Sequence, residues 1–260
     1  MQKWWYLVNK LHILAGLPRS GTTVLSALLN QNPELYTTTS STFVEFLWRN
    51  YSMWECVGEL DGLDTDKMRK LKIPFLKNIG NIFFNELTDK KIVIDKRRSW
   101  HYVNNIKMYE EIYGVKPKII CTVRDVSEIV ASYMQIFENN EEKFIADESL
   151  HRGQIFEVPF NNLKETFFSS YADCLHLVEY ENLVNKPQET LNNIYKFLNI
   201  PSYKHTFTNI KVIEQEGDHS WENLHTIRPT LSKKVRDKNK YLTNYQIKKY
   251  NDRIFWRTND

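Results

Sequence analysis

The chain has 260 residues, 42% of them hydrophobic, 26% charged and 13% aromatic. That is a globular profile, too apolar for disorder, and it fits one α/β domain over residues 1–260. Thirty-five Lys and Arg against 32 Asp and Glu leave a formal charge of +3, which argues against a nucleic-acid binder but leaves room for a local basic cleft.

No segment approaches the roughly 20 apolar residues of a membrane span. Residues 4–17 are interrupted by Asn9, Lys10 and His12 and lack a signal-peptide cleavage pattern. Cys56, Cys121 and Cys174 are far apart. They form neither a disulfide framework nor a metal-binding spacing, so the expected setting is the reducing cytoplasm and no metal is expected.

Short apolar runs alternate with helical patterns. Residues 11–15, Leu-His-Ile-Leu-Ala, read as a buried strand that enters the loop Gly16-Leu17-Pro18-Arg19-Ser20-Gly21. Residues 22–30 follow with Val24, Leu25, Leu28 and Leu29 at helical spacing, ended by Asn32-Pro33. Strands are expected at 91–95, 118–123 and 176–180. Helices are expected at 100–113, at 126–137 behind a capping Asp125, at 163–171, at 187–198 with Pro187 in its first turn, and at 243–255. Residues 138–160 and 201–242 read as irregular; long loops of this kind often serve as lids. The alternation predicts a P-loop-like parallel β-sheet flanked by helices on both faces.

Gly16-x-x-x-x-Gly21 between a strand and a helix has the spacing of a phosphate-cradling loop. Thr22 and Thr23 stand where a nucleotide triphosphatase has Lys and then Ser or Thr, so Arg19 is the nearest cation, suited to paired hydrogen bonds with an anion. The bland alternative is a strand–turn–helix in which glycine merely allows the tight turn. At the end of the 118–123 strand, Arg124 takes the position where open α/β sheets bind ligands. Ser132 follows eight residues later, and an arginine fork plus a hydroxyl suits a phosphate monoester.

The segment Leu17-Pro18-Arg19-Ser20-Gly21-Thr22-Thr23 resembles the 5'-phosphosulfate loop of sulfotransferases that use 3'-phosphoadenosine 5'-phosphosulfate (PAPS), in particular tyrosylprotein sulfotransferases and their bacterial relatives. Arg124 and Ser132 resemble the family's 3'-phosphate-binding pair. Tyr180-Glu181-Asn182-Leu183-Val184 resembles the segment after the fourth strand, and Leu231-Ser232-Lys233 a C-terminal piece that folds over the cofactor. The resemblance implies metal-free, in-line sulfuryl transfer from PAPS to a hydroxyl or amine of a small-molecule, glycan or peptide acceptor, with adenosine 3',5'-bisphosphate (PAP) as product. It implies cofactor contacts from Pro18, Arg19, Ser20, Gly21, Thr22, Thr23, Arg124, Ser132, Tyr180 and Lys233. It also makes Arg19 the contact for the leaving phosphate and Lys96 that for the sulfonate, while Arg97 and Arg98 read as a solvated basic run.

The family's usual base position holds only Thr and Ser here. Glu45 and His101 are therefore the leading base candidates, with Asp95 behind them, because Asp95 would face away from Lys96 if the strand continues. Phe43, Phe46, Trp48, Tyr51 and Trp54 are either an acceptor pocket or core. Residues 217–229 suit a lid. The rival readings are a P-loop kinase or nucleotide triphosphatase, and a non-catalytic anion- or glycan-binding module.

Overall fold

The structure, a computed structural model, describes residues 11–56, 65–138, 155–211, 227–232 and 237–257. Five strands form one sheet: β1 (Leu11–Gly16), β2 (Leu35–Thr37), β3 (Ile92–Lys96), β4 (Ile119–Val123) and β5 (Leu175–Glu179). Their order is β2-β3-β1-β4-β5, and every neighbouring pair is parallel. This is the expected α/β sheet. Its carboxyl ends converge where β1 stops, between β3 and β4.

Period-two alternation divides the core. Ile13, Ala15, Val93, Ile119 and Cys121 pack on one face; Leu14, Ile94, Ile120 and Val178 pack on the other. The second face is covered by α1 (Thr22–Leu29), α7 (Tyr180–Asn185) and α8 (Pro187–Leu198). The first carries α2 (Phe43–Cys56), α3 (Thr65–Leu87), α4 (Val103–Tyr113), α5 (Val126–Glu138) and α6 (Glu157–Phe167), with α9 (Asn244–Asn251) near the chain end.

Several boundaries depart from the sequence reading. The helix expected at 100–113 is a 3₁₀ turn, Arg98–His101, followed by α4, because Tyr102 adopts an extended conformation (φ −76°, ψ 134°) between them. Glu157–Phe167 replaces the helix expected at 163–171 and takes in the end of a stretch read as irregular. Tyr180 opens α7 rather than closing a strand. Thr243 caps a shorter α9 through a reciprocal capping box with Gln246. β2, α2 and α3 are additions.

Two titratable groups lie wholly inside this scaffold. The Asp95 carboxylate accepts hydrogen bonds from Trp100 Nε1 (2.7 Å) and Thr38 Oγ1 (3.3 Å), and burial raises its pKa to about 6. Burial lowers that of His101 to about 4. The raised Asp95 value means that the folded state holds the proton more tightly. Its contribution is therefore greatest below the unfolded value near 3.8 and is lost as pH rises towards 6. His101 acts oppositely: its contribution is present above the unfolded 6.5 and is lost as pH falls towards 4. Urea midpoints of Asp95→Asn and the parent protein should thus move apart in the variant's favour between about pH 4 and 6 and run parallel above that. A constant difference across the range would show that Asp95 ionises alike in both states.

Candidate functional site

The loop from β1 to α1 is shaped by two glycines. A Cβ on Gly16 would lie 2.2 Å from Thr122 Oγ1 and 2.7 Å from the Thr122 carbonyl, so only glycine lets β1 approach β4 this closely. Gly21 has φ 96°, and a Cβ there would lie 2.8 Å from the Tyr180 ring. Between them Arg19 takes a left-handed conformation, φ 61°. A non-glycine residue there carries roughly 1 kcal/mol of strain. The strained turn directs the guanidinium across the site, where Nε donates to Ser132 Oγ (3.2 Å).

Ser20 is fully buried, and its hydroxyl bonds to the Leu17 carbonyl and Thr122 Oγ1. It holds the loop onto β4. Behind the loop, α1 starts on Gly21 with no side-chain cap. The N–H groups of its first turn, which carry the positive end of the helix dipole, therefore remain available to an anion.

A cavity of about 670 Å³ opens over this loop. Among the described residues, its charged lining is Arg19, Lys96, Arg97, Arg98, Arg124 and Arg228 against the carboxylate of Glu45. In a chain with a formal charge of only +3, that concentration of cations is a built anion site. Arg124 is buried; its Nη1 donates to the Arg19 carbonyl (3.3 Å), its Nη2 to Glu128 (3.0 Å), and its guanidinium lies 4.2 Å from the centre of the Tyr180 ring. Its Nε has no partner among the described residues. Lys96 Nζ donates to Thr23 Oγ1 (3.3 Å) at the start of α1. Glu45, in the first turn of α2, accepts from Arg97 Nε (2.7 Å) and Ser99 Oγ (2.9 Å) on Oε1, while its buried Oε2 has no hydrogen-bond partner among the described residues. From the far side, residues 227–232 close over the cavity, anchored by Ile210 N–H on the Pro229 carbonyl and Leu231 N–H on the Phe207 carbonyl, both 2.8 Å.

The sulfotransferase family model matches residues 13–205. The chain belongs to the sulfotransferase family. Its fold is shared with the crystal structure of mouse sulfotransferase SULT7A1 complexed with PAP, at TM-score 0.54 and 14% identity over 93% of this chain and 82% of that one. It is shared also with a sulfotransferase from Alicyclobacillus acidocaldarius, at TM-score 0.51 and 16% identity over 80% and 86%. No curated protein matches the sequence.

Among the expected site residues of this sulfotransferase, Pro18, Arg19, Gly21, Thr22, Thr23, Glu45, Lys96, Arg124 and Tyr180 all line the one cavity. Ser132 joins them through Arg19. Ser20 turns away to support the loop, and Lys233 lies outside the described residues, as do 217–226 of the expected lid.

Two base candidates are not brought to the cavity. His101 is fully buried, with Nε2 on the Pro159 carbonyl at 2.9 Å. Asp95 faces Trp100 on the opposite side of β3 from Lys96. Nor do the aromatic residues of α2 form a pocket here: Phe43 is core, Phe46 and Trp48 are exposed, and none lines the cavity. Sequence reasoning missed that Arg97, half-buried, and Arg98, solvated as expected, also line the cavity. Their place just past the carboxyl end of β3 was the available signal.

Gly21→Ala combines the left-handed penalty with the Tyr180 collision and should cost about 1–3 kcal/mol in urea unfolding. In a Tyr180→Ala background part of that cost should vanish and the backbone part remain. Full additivity of the two substitutions would show that the ring contact is not what glycine accommodates.

Proposed function

We propose that the protein transfers a sulfuryl group from PAPS to a hydroxyl or amine of an acceptor. The supporting observation is that the phosphate-type loop and Arg124 face one cavity and touch, Arg124 Nη1 resting on the Arg19 carbonyl. A nucleotide phosphorylated at both the 5' and 3' positions needs two such anion grips side by side.

The residues present fit that donor. Arg19, Thr22, Thr23 and the uncapped first turn of α1 would hold the 5'-phosphosulfate. Arg124 would hold the 3'-phosphate with its unpartnered Nε. Ser132 would add its hydroxyl proton, for which no acceptor is present among the described residues. Tyr180 fixes the plane of the Arg124 guanidinium, and Leu231 and Ser232 would cover the nucleotide.

Bound PAPS supplies a sulfuryl group that passes to the acceptor oxygen or nitrogen as PAP leaves with the electron pair of the broken S–O bond. Lys96, held at Thr23, places a positive charge beside the loop where negative charge gathers on the transferring oxygens. Glu45, which lines the cavity, takes the acceptor proton: Arg97 and Ser99 fix its Oε1, and its Oε2 is buried with no hydrogen-bond partner among the described residues, so a small rotation of the carboxylate brings it to the substrate. The reading extends to a single catalytic domain in a reducing compartment, with Cys121 and Cys174 as buried thiols.

Release of label from sulfur-labelled PAPS to a panel of phenols, sugars and amines tests the activity. PAP binding without any transfer would favour the non-catalytic module instead. By calorimetry, Arg124→Ala should weaken PAP about 10- to 100-fold, the worth of charge-assisted hydrogen bonds, and adenosine 5'-monophosphate far less. Equal losses would remove Arg124 from the 3'-phosphate.

Glu45→Gln should lower turnover on the order of 10²-fold or more, with PAP affinity little changed. Lys96→Ala should likewise reduce turnover more than affinity. A pure affinity defect in either variant would take that residue off the reacting centre.

A further inference from the structure

Two guanidiniums follow Lys96 at the end of β3, and their surroundings differ. Arg97 is neutralised by Glu45 at 2.7 Å. Arg98 has no carboxylate partner among the described residues; its Nη1 donates a long hydrogen bond, 3.5 Å, to the Ile155 carbonyl. Although exposed, it lines the cavity beside Tyr102, Tyr133, Ile136 and Ile155.

Burial is the main influence on both phenols and raises their pKa, and the charge of Arg98 opposes it at each. Arg19 also acts on Tyr133, while Glu45 and Arg97 act on Tyr102. Tyr102, Tyr133, Ile136 and Ile155 thus line the same cavity as the anion loop, Arg98 and Glu45.

Under the sulfotransfer reading, on which this inference rests, the anionic groups of the donor are matched by Arg19, Lys96, Arg124 and α1. Arg98 remains in the cavity lining with no carboxylate partner among the described residues. A planar fork set in an apolar and aromatic wall selects a carboxylate by paired hydrogen bonds, and the wall selects a flat ring.

We propose that the acceptor is a hydroxylated aromatic acid: its ring lies along Tyr102, Tyr133, Ile136 and Ile155, its carboxylate binds Arg98, and its hydroxyl meets Glu45. Arg98 is thus the residue that sets acceptor specificity.

The test compares para-hydroxyphenylpropionate and para-hydroxyphenylacetate with their primary amides, which keep the ring and hydroxyl but lose the charge. Each is assayed on the full chain for kcat/KM with PAPS and for Kd by calorimetry in the presence of PAP. The acid should be preferred over its amide by about tenfold or more, the value of a charge-assisted pair. Arg98→Gln should bring the ratio close to one, Arg98→Lys should keep part of it, and the PAP affinity of both variants should match the parent protein.

The proposal is overturned if neither acid is preferred in turnover or binding, if the preference survives in Arg98→Gln, or if that variant loses PAP affinity, which would make Arg98 a donor contact. If the parent protein binds no PAP, the sulfotransfer reading fails by itself. Binding of acid and amide to the free protein and to Arg98→Gln then decides the carboxylate site separately.

Discussion

The close approach of β1 to β4 at their carboxyl ends is the constraint on which the site depends. Gly16 lies so near Thr122 that no side chain fits between them, and the same Thr122 hydroxyl holds Ser20. Leu17 N–H also bonds to the Thr122 carbonyl at 2.9 Å. Three residues of the loop, Gly16, Leu17 and Ser20, are thereby registered against β4, and the residue that leaves β4 two positions later is Arg124. Anion loop and buried arginine are consequently neighbours by strand pairing, before any ligand arrives. A strained Arg19 is tolerated there because the surrounding bonds over-determine its backbone.

The parts of this arrangement legible in the sequence are those in which local pattern and function coincide. β1 and β4 announce themselves by apolar runs, and the loop between β1 and α1 by its bounding glycines, Gly16 and Gly21. α8 does so by Pro187 at its start and regular apolar spacing. Arg19, Lys96 and Arg124 could be placed because each follows a readable strand.

What was hidden depends on tertiary context. α2 carries Phe46, Trp48 and Met53 towards solvent, which blurs its amphipathic period. α3 runs through Pro74, normally a helix stop. β2 is three residues long, too short for alternation to register. His101 looks like a candidate base in sequence, yet its partner is a carbonyl 58 positions away on α6.

The Glu45 arrangement shows why such contacts decide function. Its holders, Arg97 and Ser99, are 52 and 54 positions distant, and they reach it only because α2 packs back across the end of β3. Strand alternation then discriminates between the carboxylates. Lys96 shares the face of Ile94 and reaches α1, whereas Asp95, one residue earlier, turns to Trp100 and the opposite core. A one-residue shift of β3 would exchange them, placing a buried acid over the anion loop and a lysine among apolar side chains. Pairing of His12 with Ile94 and of Ile13 with Asp95 fixes that register. The same pairing that closes the sheet therefore determines that the cavity presents the Lys96 cation beside the anion loop, while the Glu45 carboxylate comes from a helix.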